Sequence, residues 1–358
     1  MRIALSNGSF KWGGVHVVTE ALTQGLLARG HELLLLCRGG SELETRLQGQ
    51  VPTAPVVRGM DLSPLAVLRI ARTLGRFKPD VILTLMDKDV RLTGPAARIL
   101  GIPFVVRRAN DRPLPAHPLT RTLYGRFPAL HVANSEATRA TMLASARWLD
   151  PSKIEVIHNG IDVDAYARIE PASLPVPADG FTAAFAGRLE ERKGVIDLIA
   201  AWSDVVENEP NAHLVIAGRG PLEAYVADRA GQIRNLHFLG FRKDVAAIFR
   251  AADAVAVPSH WEGFGLVALE ALAAGTPVIA TDSSSLPEIV RDGVDGLLVP
   301  PRTPQALAAA IVALARNPDA RARMAANAVA RARADFSLKR MIDRYEEVLT
   351  RIARRPNT

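Results

Sequence analysis

Residues 2–37 read RIALSNGSFKWGGVHVVTEALTQGLLARGHELLLLC. Arg2–Ser6 is a short run of buried-strand type, and His31–Cys37 is a second. Between them Asn7–Gly14 is polar and glycine-bearing. Val15–Arg29 then places Val18, Leu22 and Leu26 four residues apart on one helical face, and Gly30 closes the helix. Parallel strands need a crossover, and a helix supplies it, so this strand–loop–helix–strand unit opens a parallel α/β sheet.

The alternation continues on both sides of one break. Helices over 64–77, 93–100, 119–126 and 136–147 alternate with strands over 81–85, 103–106, 130–133 and 154–157, and residues 107–118 read as a loop rich in Arg and Pro. Residues 162–180 hold Pro171, Pro175 and Pro177 with little periodicity and read as a linker. A second series follows. Strands over 181–186, 212–217, 236–239, 254–258 and 277–280 alternate with helices over 194–207, 221–230, 244–251 and 265–274. Helices over 285–291, 304–316 and 318–334 come next, and a basic amphipathic helix, Leu338–Ala353, ends the series. Near-continuous apolar strands are those of sheets covered on both faces. The chain of 358 residues suits two domains. The predicted fold class is α/β, with two Rossmann-like, doubly wound domains facing each other across a cleft.

Composition narrows the function. The single cysteine, Cys37, sits in an apolar strand and allows no intrachain disulfide. No run approaches about 18 apolar residues, and residues 1–9 are too short and polar for a secretory signal, so the expected location is the cytoplasm. The net charge is +7, and residues 1–165 carry all of the excess. That asymmetry suits an anionic partner for the first half. Aromatics at 5% and the absence of a helix-turn-helix signature argue against nucleic acid as that partner. Asn7–Gly14 lacks the Gly-x-Gly-x-x-Gly of a dinucleotide enzyme.

Four loops at predicted strand ends of the second half carry chemistry. In Glu262-Gly-Phe-Gly-Leu-Val-Ala-Leu-Glu270, glycines 263 and 265 allow close backbone approach, and the helix opening near Gly265 offers N–H groups to a phosphate. The Glu270 carboxylate suits sugar hydroxyls. In Gly187-Arg-Leu-Glu-Glu-Arg-Lys193-Gly194, Arg188 and Lys193 converge on adjacent phosphates, one as a fork and one as a point charge. Gly218-Arg-Gly-Pro221 is a third loop, and Gly240-Phe-Arg-Lys-Asp244 borders a base. Together the four predict one phosphate-rich cleft.

This set resembles the second domain of retaining GT-B glycosyltransferases of family 4. The likeness continues through Thr276-Pro-Val-Ile-Ala, Glu288-Ile-Val and Asp292-Gly-Val-Asp-Gly-Leu-Leu-Val, and spans most of residues 155–300. The resemblance implies that Arg188 and Lys193 bind the donor pyrophosphate, that Glu270 binds the ribose, and that Glu262 faces the transferred sugar. The backbone of Gly263, Phe264, Gly265 and Leu266 would contact sugar and phosphate, with Gly187 and Gly218 in the flanking loops and Phe241 and Arg242 near the base. Gly13 and Gly14 resemble the first-domain glycine loop that approaches the donor phosphates when the domains close. His158-Asn-Gly-Ile-Asp162 resembles the element leading into the interdomain crossing, and the terminal helix would cross back. The implied domains are 1–163 with 338–358 for the acceptor and 164–337 for the donor.

One departure stands out. Many relatives carry a histidine after the strand matching Pro103–Val106, where this chain reads Arg107-Arg-Ala-Asn-Asp-Arg112. Asn110 is the candidate replacement, and Asp87 with Lys88 are further acceptor-side candidates. The implied reaction is retaining transfer from a nucleotide sugar, UDP favoured, to a glycan, lipid-linked or lipopolysaccharide-type acceptor in surface polysaccharide biosynthesis. No metal and no cofactor is expected, since cations and helix N-termini replace a divalent ion. Arg107, Arg108, Arg112, Arg121 and Arg126 are expected to face an anionic membrane surface. A nucleotide-sugar epimerase of the same architecture is the rival, but no acid–base pair for it is evident.

Overall fold

The computed structural model describes residues 1–10, 13–57 and 63–354. Lys11 and Trp12 of the predicted glycine loop, and residues 355–358 of the terminal segment, lie outside the described residues. The chain divides into two compact units, Met1–Gly160 with Leu338–Thr358, and Ile161–Ser337.

The first unit holds strands β1 (Arg2–Asn7), β2 (Glu32–Cys37), β3 (Thr53–Ala54), β4 (Val81–Thr84), β5 (Phe104–Arg108), β6 (Leu130–Ala133) and β7 (Ile154–Val156). Their order is β3-β2-β1-β4-β5-β6-β7, all parallel. The second unit holds β8 (Phe181–Arg188), β9 (Ala212–Arg219), β10 (Leu236–Gly240), β11 (Ala254–Val257), β12 (Val278–Thr281) and β13 (Gly296–Val299), in the order β10-β9-β8-β11-β12-β13, again all parallel. Both sheets are doubly wound, with order reversing at β1/β4 and at β8/β11. In such sheets the loops at the carboxyl ends part at the reversal and leave a crevice. No helix among the described residues is long and apolar enough to cross a membrane.

The pattern located most elements because both faces of each sheet are buried: Leu33–Cys37 of β2 and Val81–Leu83 of β4 are apolar and shielded from solvent. Among the short elements it missed, helix Glu42–Leu47 is held by the Ser41 cap, whose hydroxyl accepts from the Glu44 amide, and β3, of two residues, and β13 are edge strands. The 162–180 stretch is not a free linker. It begins with helix Val163–Ala167, and Tyr166, Ala172, Leu174 and Val176 pack on the core of the second unit.

Arg107 and Arg108 correct a sequence expectation. They are not loop residues facing a membrane but the last two residues of β5, only 1% and 3% exposed. Arg107 donates to Asn159 Oδ1 at 2.8 Å, and Arg108 pairs with Asp87 at 3.1 Å. Arg112, Arg121 and Arg126 are exposed. The predicted helix over 119–126 is a short turn, Pro118–Thr120, running into a π-helical segment, Arg121–Arg126.

The terminal helix, Leu338–Ala353, buries Met341, Ile342, Tyr345, Val348, Leu349 and Ile352 in the first unit. It docks through both acids and bases, Arg344 and Arg351 pairing with Glu155 of β7. Glu346 pairs with His31 at 2.8 Å and with Arg29 at 2.5 Å, and Asp343 pairs with Arg29. Leu349 is fully buried. Leu349→Ala is therefore expected to lower the stability of the first unit by about 2–5 kcal/mol, read as an earlier urea transition; an unchanged midpoint would show that the helix does not stabilise this unit.

Candidate functional site

In the second unit β8 and β9 run two residues further than their apolar pattern, so Gly187 pairs with Gly218 and Arg188 with Arg219 inside the sheet. A Cβ on Gly218 would lie 2.0 Å from the Gly187 carbonyl oxygen, so the two strand ends can be this close only without a side chain. The backbone then turns at Leu189 and passes through a single 3-10 turn, Glu191–Lys193. Gly194 follows with φ +69°, and a Cβ there would lie 1.8 Å from the Pro258 carbonyl oxygen. The loop after β8 is thereby pressed against the loop after β11, at the point where strand order reverses.

That contact brings Lys193 to Glu262. The Lys193 ammonium and the Glu262 carboxylate form an ion pair, and Glu262 Oε1 also accepts from Ser259 Oγ at 2.8 Å. The Arg192 guanidinium stands 3.8 Å from Glu262 Oε2, lies over the Trp261 ring at 4.6 Å, and pairs with Glu190 at 2.7 Å. Arg188, largely exposed, pairs with the same Glu190 at 3.0 Å. Three cations thus meet two carboxylates. Hydroxyls from the end of β12 fix the Glu262 loop: Thr281 donates to the Ser259 carbonyl, Ser283 to that of His260 at 2.6 Å, and Ser285 to that of Glu262 at 3.3 Å. His260 is paired with Asp197 at 2.7 Å.

Gly265 is the N-cap of helix Leu266–Ala273, whose first amides have no partner within the helix. The Phe264 ring is buried against Phe336, edge to face at 6.1 Å, so its side chain is turned into the core. An excess of cations beside a helix N-terminus is an anion site.

Glu270 lies one turn along this helix and is partly accessible. Desolvation pushes its carboxyl up to about 7, opposed by a hydrogen bond with the Tyr166 hydroxyl. The same burial, with the nearby carboxylate, raises Tyr166. Phe241 is half exposed with the Arg219 guanidinium 4.4 Å above its ring, and Arg242 is paired with Asp244.

In the first unit the corresponding reversal lies between β1 and β4. Gly13 caps and Gly14 begins helix Gly14–Leu27. The backbone before it is tied down: the Gly8 amide donates to Asp89 Oδ2 at 2.8 Å, Ser6 Oγ to the same oxygen at 3.2 Å, and the Ser9 amide to Asn7 Oδ1 at 3.1 Å. Asp89 is fully buried, and desolvation pushes it up to about 6. Asp87 and Asn110 are brought together at the ends of β4 and β5, where Asn110 donates its amide to Asp87 and Arg108 completes the cluster.

Sequence reasoning missed Arg192, Ser259, Tyr166 and Asp89. Arg192 stood inside a quoted motif and Ser259 three residues before another, and an extra cation and a hydroxyl near Glu262 were the available signals. Tyr166 gave none, because it lies in the stretch read as a linker. Among the described residues no group of three or more His, Cys, Asp or Glu side chains is placed to hold a metal ion.

The family model for glycosyl transferases group 1 matches residues 167–331, and that for Glycosyltransferase Family 4 matches residues 12–165. The D-inositol 3-phosphate glycosyltransferase of Mycobacterium leprae is 40% identical over 175 residues, a match covering 45% of this chain and 40% of that relative. Among solved structures, Anabaena HepE in complex with UDP and glucose superposes with a TM-score of 0.84 at 25% identity, covering 98% of this chain and 99% of that one. A glycosyltransferase from Rickettsia africae gives a TM-score of 0.87 at 19% identity over 99% of both chains.

The Glu270 carboxyl offers a direct test of the site's electrostatics. Its folded value, about 7, lies above its ordinary 4.5. Its contribution to stability is therefore fully present below about 4.5 and is lost as pH rises through 7. Glu270→Gln, which carries no charge, is expected to gain stability relative to the native chain between pH about 5 and 8, measured by urea unfolding at each pH. A constant difference across that range would show that the carboxyl is not desolvated.

Proposed function

This chain belongs to glycosyltransferase family 4, and we propose that it transfers a sugar, with retention of anomeric configuration, from a nucleoside-diphosphate sugar held by its second unit. The observation that carries this reading is the cluster of Lys193, Arg192 and Arg188 around Glu262 and Glu190, beside the N-terminus of helix Leu266–Ala273. Departure of the nucleoside diphosphate builds negative charge on its terminal phosphate. Cations and amides already in place stabilise that charge without reorganising. Lys193 is the principal donor. Glu262 orients it through their ion pair and turns its remaining lone pairs to the hydroxyls of the transferred sugar.

Glu270, as a carboxylate, accepts from the two ribose hydroxyls, which fixes the nucleoside relative to the phosphates. Phe241 borders the base. UDP is the favoured nucleotide, in keeping with the UDP and glucose bound by HepE. The cation cluster makes the reaction independent of a divalent metal. The first unit takes the acceptor, a glycan, lipid-linked or lipopolysaccharide-type molecule of surface polysaccharide synthesis at the inner face of a membrane. Asp87 and Asn110 are its polar contacts.

The test is binding and turnover of a panel of nucleotide sugars in EDTA. The native chain is expected to bind a UDP sugar saturably and release UDP slowly. Glu270→Ala should weaken binding, and Lys193→Ala should slow release about 10²–10³-fold, the usual cost of removing one charge-stabilising donor. No binding to any nucleotide sugar would overturn the proposal, and a strict requirement for manganese would overturn its metal independence.

A further inference from the structure

Helix Pro64–Phe77 packs beside helix Val90–Leu100 on one face of the first unit. Ala66, Ile70, Ala71 and Leu74 occupy the buried side of the first of these. Its outer side is a stripe at helical spacing: Leu65, Leu68, Arg69, Arg72 and Arg76, all exposed. Leu65 and Leu68 are 67% and 47% exposed, two large apolar side chains on the solvent side of an amphipathic helix. Leu100 of the neighbouring helix lies next to Gly75, and Ile99 and Leu100 are also exposed, preceded on the same turn by the exposed Arg98. The stripe from Leu65 to Arg76 is about 16 Å long at helical rise. Neither helix contains an aspartate or glutamate, whereas together they carry five arginines.

We propose that this face docks the protein on an anionic lipid bilayer. The argument is charge complementarity combined with shallow insertion. Four aliphatic tips reach into the headgroup boundary, but the buried side of each helix already belongs to the core. The apolar contact is therefore too small to hold alone and needs the arginines as its second signal. A flat row of aliphatic tips between arginines, with no acid to define a partner's register, matches a fluid anionic surface better than a shaped protein interface. It replaces Arg107 and Arg108, which are buried, as the membrane-facing set. The inference rests on the reading that the acceptor is presented at a membrane; donor binding, measured in parallel, separates its failure from failure of the glycosyltransferase reading.

The experiment is flotation of the full chain with vesicles of phosphatidylcholine alone or with about 30% phosphatidylglycerol, at NaCl of about 0.1 and 0.5 M. The native chain is expected to float with the anionic vesicles only, and to be released at high salt. Leu65→Ser with Leu68→Ser should cut the bound fraction at least about fivefold, and Arg69→Gln, Arg72→Gln and Arg76→Gln together should abolish flotation. All variants should keep nucleotide-sugar binding, which also reports that they are folded. Arg112→Gln, Arg121→Gln and Arg126→Gln together should leave flotation unchanged. Absence of flotation by the native chain, or undiminished flotation of the Leu and Arg variants, would overturn the proposal. So would a leucine variant that changes only the oligomeric state by light scattering, since the face would then be a protein interface.

Discussion

At Gly194 there is no room for a side chain: the Pro258 carbonyl occupies the place where a Cβ would stand. The loop after β8 and the loop after β11 touch there because one residue has nothing but a hydrogen to offer, in a left-handed conformation that glycine adopts at little cost. The second unit's candidate site follows from that contact. It sets Lys193 against Glu262, puts Arg192 over Trp261, and leaves the amides at the start of helix Leu266–Ala273 beside three cations.

The ion pair has a cost that the surroundings offset. Glu262 and Lys193 are both largely withdrawn from water, where charges are expensive unless paired and hydrogen-bonded. Ser259 donates to the Glu262 carboxylate and Arg192 stands beside it, while the Thr281, Ser283 and Ser285 hydroxyls hold the backbone carbonyls of the same loop, so the pair is fixed in place. At Glu270, one turn further along, the hydrogen bond with the Tyr166 hydroxyl is weaker than desolvation, so the carboxyl is pushed up. Two glutamates of one motif are thereby given different electrostatic characters by their neighbours.

The first unit uses the same winding to a different end. Its strand order reverses between β1 and β4, and the carboxyl that stabilises the loop after β1 is a fully buried one, Asp89, receiving the Gly8 amide and the Ser6 hydroxyl. The arginines that follow Val106 go inward. Arg107 reaches Asn159 and Arg108 reaches Asp87, so that part of the unit's positive charge holds strand ends together and is withheld from the surface. Two neighbouring helices, Pro64–Phe77 and Val90–Leu100, carry five arginines and no acid.

The amino-acid pattern was sufficient for the two wound sheets, because a strand buried on both faces is apolar throughout and an amphipathic helix repeats every three to four residues. The helices Pro64–Phe77 and Pro304–Arg316 lie where the periodicity puts them. The loops bearing Lys193, Glu262 and Glu270 were legible too, since glycines and charges at strand ends have few other uses. Short edge elements such as β3 and β13 were not: β3 has only two residues, and β13 directly follows the polar, glycine-bearing turn at Asp292–Asp295. Nor could the pattern tell an arginine that snorkels to water from one drawn inward by Asn159 or Asp87, or assign Tyr166 to Glu270 across a gap of 104 residues. Those pairings are set by where the wound sheets bring distant strand ends together, and hydropathy along the chain contains no information about that distance.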